Sequence, residues 1–302
     1  MVVSAPSRGR IGAQHTPMRF TKLEGCGNDY IYVDLWDEPL AGVDVPALAR
    51  AISDRHFGVG GDGLILVGPT PEADARMVVY NADGSSAEMC GNGLRCAGRL
   101  AWEHGRIGGN RHPRFATGAG ILTLELTFTD TVCTGAIVAM GSPRLTPAAV
   151  PVQHPGPGPL LELHLEAGGK NWRLLAVGMG NPHAVCFVDD VATVDLARIG
   201  PLLEHHPVFP RRANIEFVSV LADERGIPVL RQRTWERGSG ETLACGTGAC
   251  AATVAAILDQ RISGRQAIVR LNGGDVAIAW PANTAEVTMR GPATRVFAGE
   301  WR

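Results

Sequence analysis

Three short motifs rich in glycine occur twice in this chain, in the same order and about half the chain length apart. The pairs are Gly25-Cys26-Gly27-Asn28 with Gly178-Met179-Gly180-Asn181, Asp83-Gly84-Ser85 with Arg237-Gly238-Ser239, and Cys90-Gly91-Asn92-Gly93 with Cys245-Gly246-Thr247-Gly248. Single glycine-rich turns resemble one another by chance, but here each pair must also fall in register with the other two. Self-similarity at one spacing is typical of a duplicated unit. The sequence therefore predicts two copies of one domain.

The composition is that of a chain that folds around a full-sized core. With 302 residues, of which 45% are hydrophobic and 19% charged, the chain has the size of two medium domains and is not generally disordered. Its formal net charge of −2, without stripes of Lys and Arg, gives no reason to expect a nucleic-acid partner. The longest charge-free helical window, 242–258, is too short to span a bilayer comfortably. We expect a buried helix there and no membrane partner.

The first 17 residues differ in character from the rest of the chain. They contain Arg8 and Arg10, no acidic residue and no continuous apolar stretch, which predicts a disordered extension rather than a secretory signal. The seven cysteines are an odd number in a long chain without an export signal. We therefore expect reduced thiols and a cytoplasmic location rather than a disulfide framework.

Hydrophobic periodicity predicts strands and helices in both halves. Strands are expected at 19–23, 31–35, 64–67, 77–80, 122–128, 171–177, 184–188, 215–220 and 229–234, with a helix at 196–203 and a short helix opened by Asp44 and Pro46. Six prolines between 141 and 160 exclude a regular element there, and we interpret this stretch as a surface connection.

Both Cys-Gly-x-Gly motifs are followed by an apolar helical run, which predicts a cysteine at the N-terminus of each helix. In the first helix Leu94, Ala97 and Ala101 form an apolar face, and Arg95, Arg99 and Glu103 a polar one; the second helix carries no charge from 249 to 258, which indicates that it is enclosed on all sides. Free backbone N–H groups at a helix start favour a thiolate, whereas an apolar enclosure raises the thiol pKa. The sequence does not decide between these effects.

Two thiols facing one carbon atom would suit the inversion of a stereocentre. One thiolate would remove the α-proton and the opposite thiol would return a proton from the other face. Gly91, Gly93, Gly246 and Gly248 lack a Cβ, so backbone amides could close on a substrate carboxylate and stabilise the charge that develops.

The cysteines could also be core residues or zinc ligands. Buried cysteines at tight turns are common, and Cys96, Cys133, Cys186 and Cys250 are predicted as core residues, whereas Cys26 stays ambiguous because it lies in a repeated motif. The cysteine spacing does not suit zinc, so no metal site is expected.

The longer blocks around these motifs resemble the diaminopimelate epimerase family. They run over Phe20–Asp29, Asn81–Cys96, Gly180–His183 and Glu236–Cys250, and the resemblance covers essentially all of 18–302. It implies a cytoplasmic, commonly dimeric enzyme that needs no cofactor and interconverts LL- and meso-diaminopimelate on the route to lysine and peptidoglycan. A related thiol-based racemase of another amino acid, such as histidine or proline, and a two-lobed amino-acid-binding protein without chemistry are the alternatives.

The resemblance also implies roles for single residues. Cys90 and Cys245 are expected to be the acid–base pair, and His183 and Glu236 to support them. The expected substrate contacts are Asn28, Asn81, Gly91, Asn92, Asn181, Asn214, Glu236, Arg237, Gly246 and Thr247. The chain departs from many relatives at Leu23-Glu24, and it has Gly63 where some carry a glutamine that touches substrate, which would leave that contact to backbone or water.

We expect an α/β chain of the α+β type with two pseudo-symmetric domains, each a curved mixed sheet or barrel around its central helix, with the active site in the cleft between them. The family pattern places 18–134 together with 291–302 in the first domain and 135–290 in the second, so that the last strand returns to the first domain.

Overall fold

The computed structural model describes residues 17–159 and 161–302, so most of the N-terminal segment predicted as disordered lies outside the described residues. The α-helices are α1 Val45–Ser53, α2 Gly91–Glu103, α3 Leu196–Glu204 and α4 Gly246–Leu258, with a 3₁₀ turn at Val191–Thr193. The strands of the first half are β1 Met18–Gly25, β2 Asn28–Asp34, β3 Gly63–Gly68, β4 Ala75–Asn81, β5 Ser86–Ala87, β6 Arg114–Thr117, β7 Gly120–Thr129 and β8 Val132–Ala139. Those of the second half are β9 Leu161–Ala167, β10 Lys170–Gly178, β11 Pro182–Phe187, β12 Asn214–Glu224, β13 Ile227–Glu236, β14 Gly240–Thr242, β15 Gln266–Arg270, β16 Asp275–Ala279, β17 Thr288–Pro292 and β18 Thr294–Trp301.

The duplicated motifs reflect a duplicated pattern of strand pairing. In the first half β1–β2 is antiparallel, β2–β3 parallel, β3–β4 antiparallel, β4–β6 parallel, and β6–β7 and β7–β8 antiparallel. The second half repeats this order of pairings from β10 to β17. The peripheral helices α1 and α3 and the central helices α2 and α4 follow equivalent strands. The predicted two copies of one unit are confirmed.

The halves are joined in the middle and exchange their outer strands. Strands β8 and β17 pair antiparallel, so all 18 strands belong to one connected mixed sheet that does not close into a barrel. Strand β9 follows the first half but pairs with β10, whereas β18 follows the second half but pairs with β1. The last strand of the chain thus lies beside the first. The expected boundaries at 134 and 291 fall within β8 and β17, and we keep the division of the chain there as a proposal.

Each half buries apolar residues on both faces of its sheet. One core lies around α2 and a second around α4, while α1 and α3 cover the opposite faces. Every residue from Gly248 to Ala256 is buried, as the absence of charge in this helix predicts. Arg95 contradicts the polar face predicted for α2, because its side chain is fully buried.

The predicted strands, helices and N-cap are confirmed, whereas the prediction for the proline-rich stretch needs a correction. All the predicted strands and both helices form, and Asp44 caps α1 by accepting from the Ala47 N–H at 3.1 Å. The proline-rich stretch has no regular element, but it is more than a surface connection: Val150 and Val152 are buried in the core beneath α3, and Arg144 pairs with Gly178. In the described part of the chain, every helix falls short of the length and apolarity that crossing a membrane requires.

Candidate active site

The two repeated cysteines are the N-caps of the central helices. Cys90 is extended, with φ −137° and ψ 110°, and its sulfur accepts from the Gly93 N–H at 3.3 Å. Cys245 has φ −122° and ψ 104°, and its sulfur accepts from the Gly248 N–H at 3.4 Å. Each sulfur thus satisfies one of the free N–H groups at the positive end of a helix dipole. This confirms the predicted position of both cysteines in the fold.

The glycines of the two motifs are needed because neighbouring atoms come close. A Cβ on Gly93 would lie 2.5 Å from Ile65 Cδ1, and one on Gly248 would lie 2.7 Å from Glu216 Oε1. In both cases the cysteine sulfur is also within 3.4 Å of that position. A side chain at either position would have to displace the side chain of the strand residue behind the cap, so the two glycines leave room for Ile65 and Glu216.

The N-termini of α2 and α4 meet around one methionine. Ideal Cβ positions on Gly91 and Gly246 lie 3.1 Å from Met289 Cε and 3.0 Å from Met289 Sδ. Asn92 reaches across from α2, and its Oδ1 lies 3.7 Å from the Cβ position of Gly246. Within the described residues this buried oxygen has no hydrogen-bond partner. The structure therefore brings Gly91, Asn92 and Gly246 together between the two cysteine caps.

A buried polar cluster lies behind Cys245. The His183 Nδ1 is 2.7 Å from Glu216 Oε1, and its Nε2 is 2.8 Å from Asn181 Oδ1. Ligand atoms of His183, Glu216 and Cys245 all lie within 4.8 Å of one another, and the Thr247 hydroxyl is 3.6 Å from the Cys245 sulfur. Sequence reasoning missed Glu216, although a charged residue inside the apolar run of β12 is a signal that it needs a buried partner.

A different polar chain leads away from Cys90. Its sulfur lies 3.3 Å from Asn28 Oδ1, and Asn28 Nδ2 donates to Asp62 at 2.7 Å. Asp62 also forms an ion pair with Arg55 at 2.9 Å. Because one side of the amide is held by a carboxylate, its oxygen is directed at the thiol. Asp62 was not among the predicted residues.

Other predicted substrate residues are held by contacts within the protein. Asn214 Nδ2 donates to the Pro182 carbonyl at 3.1 Å, and Asn214 Oδ1 accepts from the Arg237 N–H at 2.8 Å. Arg237 Nη1 donates to a carbonyl on the loop before β12 at 3.0 Å. Asn81 Nδ2 donates to Ser85 Oγ at 3.0 Å at the turn after β4. Asn214 is thus a link that fixes the turn carrying Glu236 and Arg237.

Position 63 has no room for a side chain. A Cβ on Gly63 would lie 2.1 Å from the Tyr80 carbonyl oxygen and 2.7 Å from Tyr30 Cε1. The largely buried Tyr30 therefore occupies the space beside Gly63, close enough to Cys90 for the thiolate charge to raise the pKa of the Tyr30 hydroxyl, although burial is the larger cause. Sequence reasoning missed Tyr30, because an aromatic residue in a strand reads as ordinary core.

Burial decides the electrostatic question left open by the sequence. It raises the pKa of the Cys90 thiol, and the Gly93 N–H and the charge of Arg95 only partly oppose it. Burial likewise raises the pKa of Cys245 well above its usual value, and here the carboxylates of Glu236 and Glu216 add to the rise. Burial also raises the pKa of Glu236, whose charge acts on both thiols. Desolvation thus outweighs the N–H groups that the helix starts offer to the two sulfurs.

The chain matches the family model described as diaminopimelate epimerase over residues 20–146 and 175–296. The diaminopimelate epimerase of Agathobacter rectalis is 46% identical over 290 residues, covering 94% of this chain and 99% of the relative. That of Pelotomaculum thermopropionicum is 48% identical over 284 residues, covering 94% and 99%. Among solved structures, the Bacillus anthracis phenazine biosynthesis protein of the PhzF family has a TM-score of 0.69 at 15% identity, covering 95% of this chain and all of that one. This last likeness concerns the fold alone.

Proposed function

The chain belongs to the diaminopimelate epimerase family, and we propose that it inverts one α-carbon of diaminopimelate, interconverting the LL and meso forms, with Cys90 and Cys245 as the two acid–base groups. The observation that carries the assignment of these residues is the pair of cysteine caps on helices whose N-termini meet around Met289. A carbon held between them is approached by one sulfur from each half of the chain.

The reaction needs one proton removed and one returned. The thiolate of one cysteine takes the α-proton, so that an S–H bond forms as the C–H bond breaks. The thiol of the other cysteine gives its proton to the opposite face of the carbanion, and its S–H bond breaks as the new C–H bond forms. Proton transfer by a positioned group contributes about 10²–10⁴-fold.

The groups around the caps suit an amino-acid head. The N–H groups at the two helix starts bind a carboxylate and stabilise charge that moves onto it in the carbanion. The unpartnered Asn92 Oδ1 is a buried acceptor for an ammonium group. We assign Arg237 to the carboxylate of the distant amino-acid head and Asn28, Asn81, Asn181 and Glu236 to its polar contacts, while Asn214 acts through the turn that it holds. Some relatives carry a glutamine that touches substrate at the position of Gly63, and we assign that substrate contact to Tyr30 or water in this chain.

We propose that the reaction proceeds without pyridoxal phosphate. That cofactor is carried as a Schiff base on a lysine, and the chain contains two lysines. Lys22 is paired with Asp29 at 2.6 Å, and Lys170 lies over the Trp172 ring. Each ammonium group thus has a partner of its own, and the two thiols supply the acid and base that the reaction needs.

A cytoplasmic location and a homodimer complete the proposal. Strand β18 supports the second, because it pairs on one side with β1 and exposes Val296 and Phe297. Light scattering of purified protein tests it, with a monomer mass as the contrary result.

The activity is tested with purified protein and LL-diaminopimelate, with dithiothreitol present and no added pyridoxal phosphate. In D₂O we expect deuterium at the α-carbon of the epimerised product, and we expect Cys90→Ala and Cys245→Ala each to abolish epimerisation. Cys133→Ala is the matched control, since this buried thiol lies on β8 away from the caps. A binding protein would incorporate no deuterium, and near-normal turnover in either cap variant would refute the two-thiol assignment.

A further inference from the structure

Among the residues that the structure describes, Arg95 on α2 is a buried cation without a counter-ion in contact. Its side chain is fully buried, its Nε donates to the Pro292 carbonyl at 3.0 Å, and its Nη1 lies 3.8 Å from Met289 Sδ. Its Nη2 is buried and has no hydrogen-bond partner among the described residues. The guanidinium thus contacts a carbonyl oxygen and a thioether sulfur, both of them uncharged.

Two glycines make the room for this guanidinium. A Cβ on Gly25, at the end of β1, would lie 3.0 Å from Arg95 Nη2, and one on Gly291, in β17, would lie 2.8 Å from Arg95 Cζ. The cation is therefore enclosed by strands from both ends of the chain. It also lies beside the methionine around which the two helix starts meet.

The duplication shows that the cation is present on one side only. Aligning the two cysteine caps places Arg95 of α2 opposite Cys250 of α4 in the repeat. The strands behind the caps differ in the same sense. Tyr30 pairs with Gly63 in β2–β3 as His183 pairs with Asn214 in β11–β12, so Ile65 and Glu216 are equivalent.

This asymmetry assigns opposite surroundings to the two sulfurs. Cys90 has an apolar side chain behind it and a cation on its own helix, whereas Cys245 has a carboxylate behind it. Isolation of a charge from water is strongly unfavourable in a protein interior, so an unpaired buried guanidinium implies an anion that neutralises it in the working state. A Cys90 thiolate on the same helix is an anion on which this charge acts, and a substrate carboxylate bound at the helix starts would be a second.

We propose that Arg95 is a positioning residue that supplies a positive charge beside the helix starts and makes Cys90, rather than Cys245, the thiol of the pair that ionises more readily. The inference rests on the proposed function for its purpose, but it concerns the ionisation of the thiols and is measured without turnover. In the direction that starts with Cys90 as the thiolate and Cys245 as the thiol, Cys90 removes the α-proton and Cys245 donates one. Exchange of protons with water then restores the starting state.

The other groups that face Cys90 do not supply this charge. Asn28 and Tyr30 from β2 are neutral, Tyr32 and Cys96 are buried neutral groups, and Glu236 from β13 is an acid that raises the pKa of the Cys90 thiol. Arg95 is a cation whose charge favours the Cys90 thiolate.

The test is the rate of iodoacetamide alkylation as a function of pH, read separately for Cys90 and Cys245 by peptide mapping of the full-length protein. In Arg95→Met we expect the Cys90 midpoint to rise by about one pH unit, so that alkylation at neutral pH slows about tenfold. Cys245 should change less, and Arg95→Lys should keep most of the wild-type rate at Cys90.

Arg99→Met is the matched control, because Arg99 lies one turn further along α2 and donates to the next backbone carbonyl, Ala293, at 2.7 Å, but is paired with Glu103. It should leave the Cys90 profile unchanged. If Arg95→Met does not fold, Arg95→Gln removes the same charge with a polar side chain and carries the test. An unchanged Cys90 profile in a folded, uncharged Arg95 variant, or equal shifts at both cysteines, overturns the proposal. Failure of the proposed function would appear instead as wild-type protein that does not epimerise diaminopimelate.

Discussion

The turn that carries Glu236 and Arg237 is anchored by one buried carboxylate, Glu204, at the end of α3. Its Oε2 accepts from the Trp235 indole N–H at 2.8 Å, and its Oε1 accepts from the Gly238 N–H at 3.1 Å. Only 3% of Glu204 is exposed, so water cannot replace these bonds. Glu204→Gln keeps the shape but turns one acceptor oxygen into an NH₂ donor. One N–H group then loses its acceptor in a buried site, which costs about 1–3 kcal/mol.

We therefore expect Glu204→Gln to lower the free energy of unfolding by about 2 kcal/mol in urea titrations followed by circular dichroism. Because the turn loosens, KM for diaminopimelate should rise more than kcat falls. Glu162→Gln is the control: this carboxylate is 37% exposed and paired with Arg173, and such pairs contribute about 1 kcal/mol or less. Unfolding and KM unchanged from wild type in Glu204→Gln would show that the carboxylate does not hold the turn.

Two further predictions concern Asp259 and Gly63. Asp259 caps the end of α4 and pairs with Arg173 at 2.7 Å, which lowers the pKa of Asp259 to about 2. Its contribution to stability is therefore complete above the unfolded pKa of about 4 and is lost as the pH falls towards 2. Asp259→Asn should unfold at lower urea concentration at pH 6, and a difference from wild type that does not narrow below pH 4 would contradict the reasoning. Gly63→Gln should not restore a family-like contact but destabilise the protein, because its Cβ would meet the Tyr80 carbonyl at 2.1 Å; differential scanning calorimetry measures this, and a wild-type melting temperature would show that β3 can shift.

The duplication and the cysteine caps could be predicted from the sequence because they depend on local chemistry. A Cys-Gly-x-Gly motif followed by an apolar run is typical of the start of a buried helix. Repetition of several motifs at one spacing indicates a repeated order of strands and helices. The predicted strands form for the same reason, since their alternation matches burial on a sheet. The inversion of an α-carbon is predicted by the same local chemistry, because two acid–base groups on opposite faces of one carbon suit that reaction.

The missed features depend on contacts between distant parts of the chain. Arg95 reads as part of a polar helix face, because its burial requires glycines on β1 and β17 that only the fold brings beside it. Val150 and Val152 lie among prolines in an irregular segment. The path of this segment beneath α3, which buries both side chains, produces no hydrophobic periodicity in the sequence. Asp62 lies just before β3 and orients Asn28 of β2 by accepting a hydrogen bond from its amide. Long-range pairing of this kind leaves no regular spacing in the sequence.

The difference between the two sulfurs can also be tested from the side of Cys245. Burial raises the pKa of the Cys245 thiol most, and the carboxylates of Glu236 and Glu216 add to the rise. The position behind Cys90 that is equivalent to Glu216 is the uncharged Ile65. Removing the negative charge of Glu216 favours the thiolate, so Glu216→Gln should speed alkylation of Cys245 at neutral pH. Glu162→Gln is again the control, since this carboxylate lies on β9 away from the caps.

Because Glu216 also binds His183 at 2.7 Å, the variant should lose epimerase activity while its Cys245 thiol becomes more reactive. A merely structural carboxylate would give the loss without the faster alkylation. If alkylation of Cys245 were instead unchanged or slower, the surroundings of the two thiols would not be what separates their ionisation. The two copies of the domain would then differ in sequence without differing in the chemistry of their sulfurs.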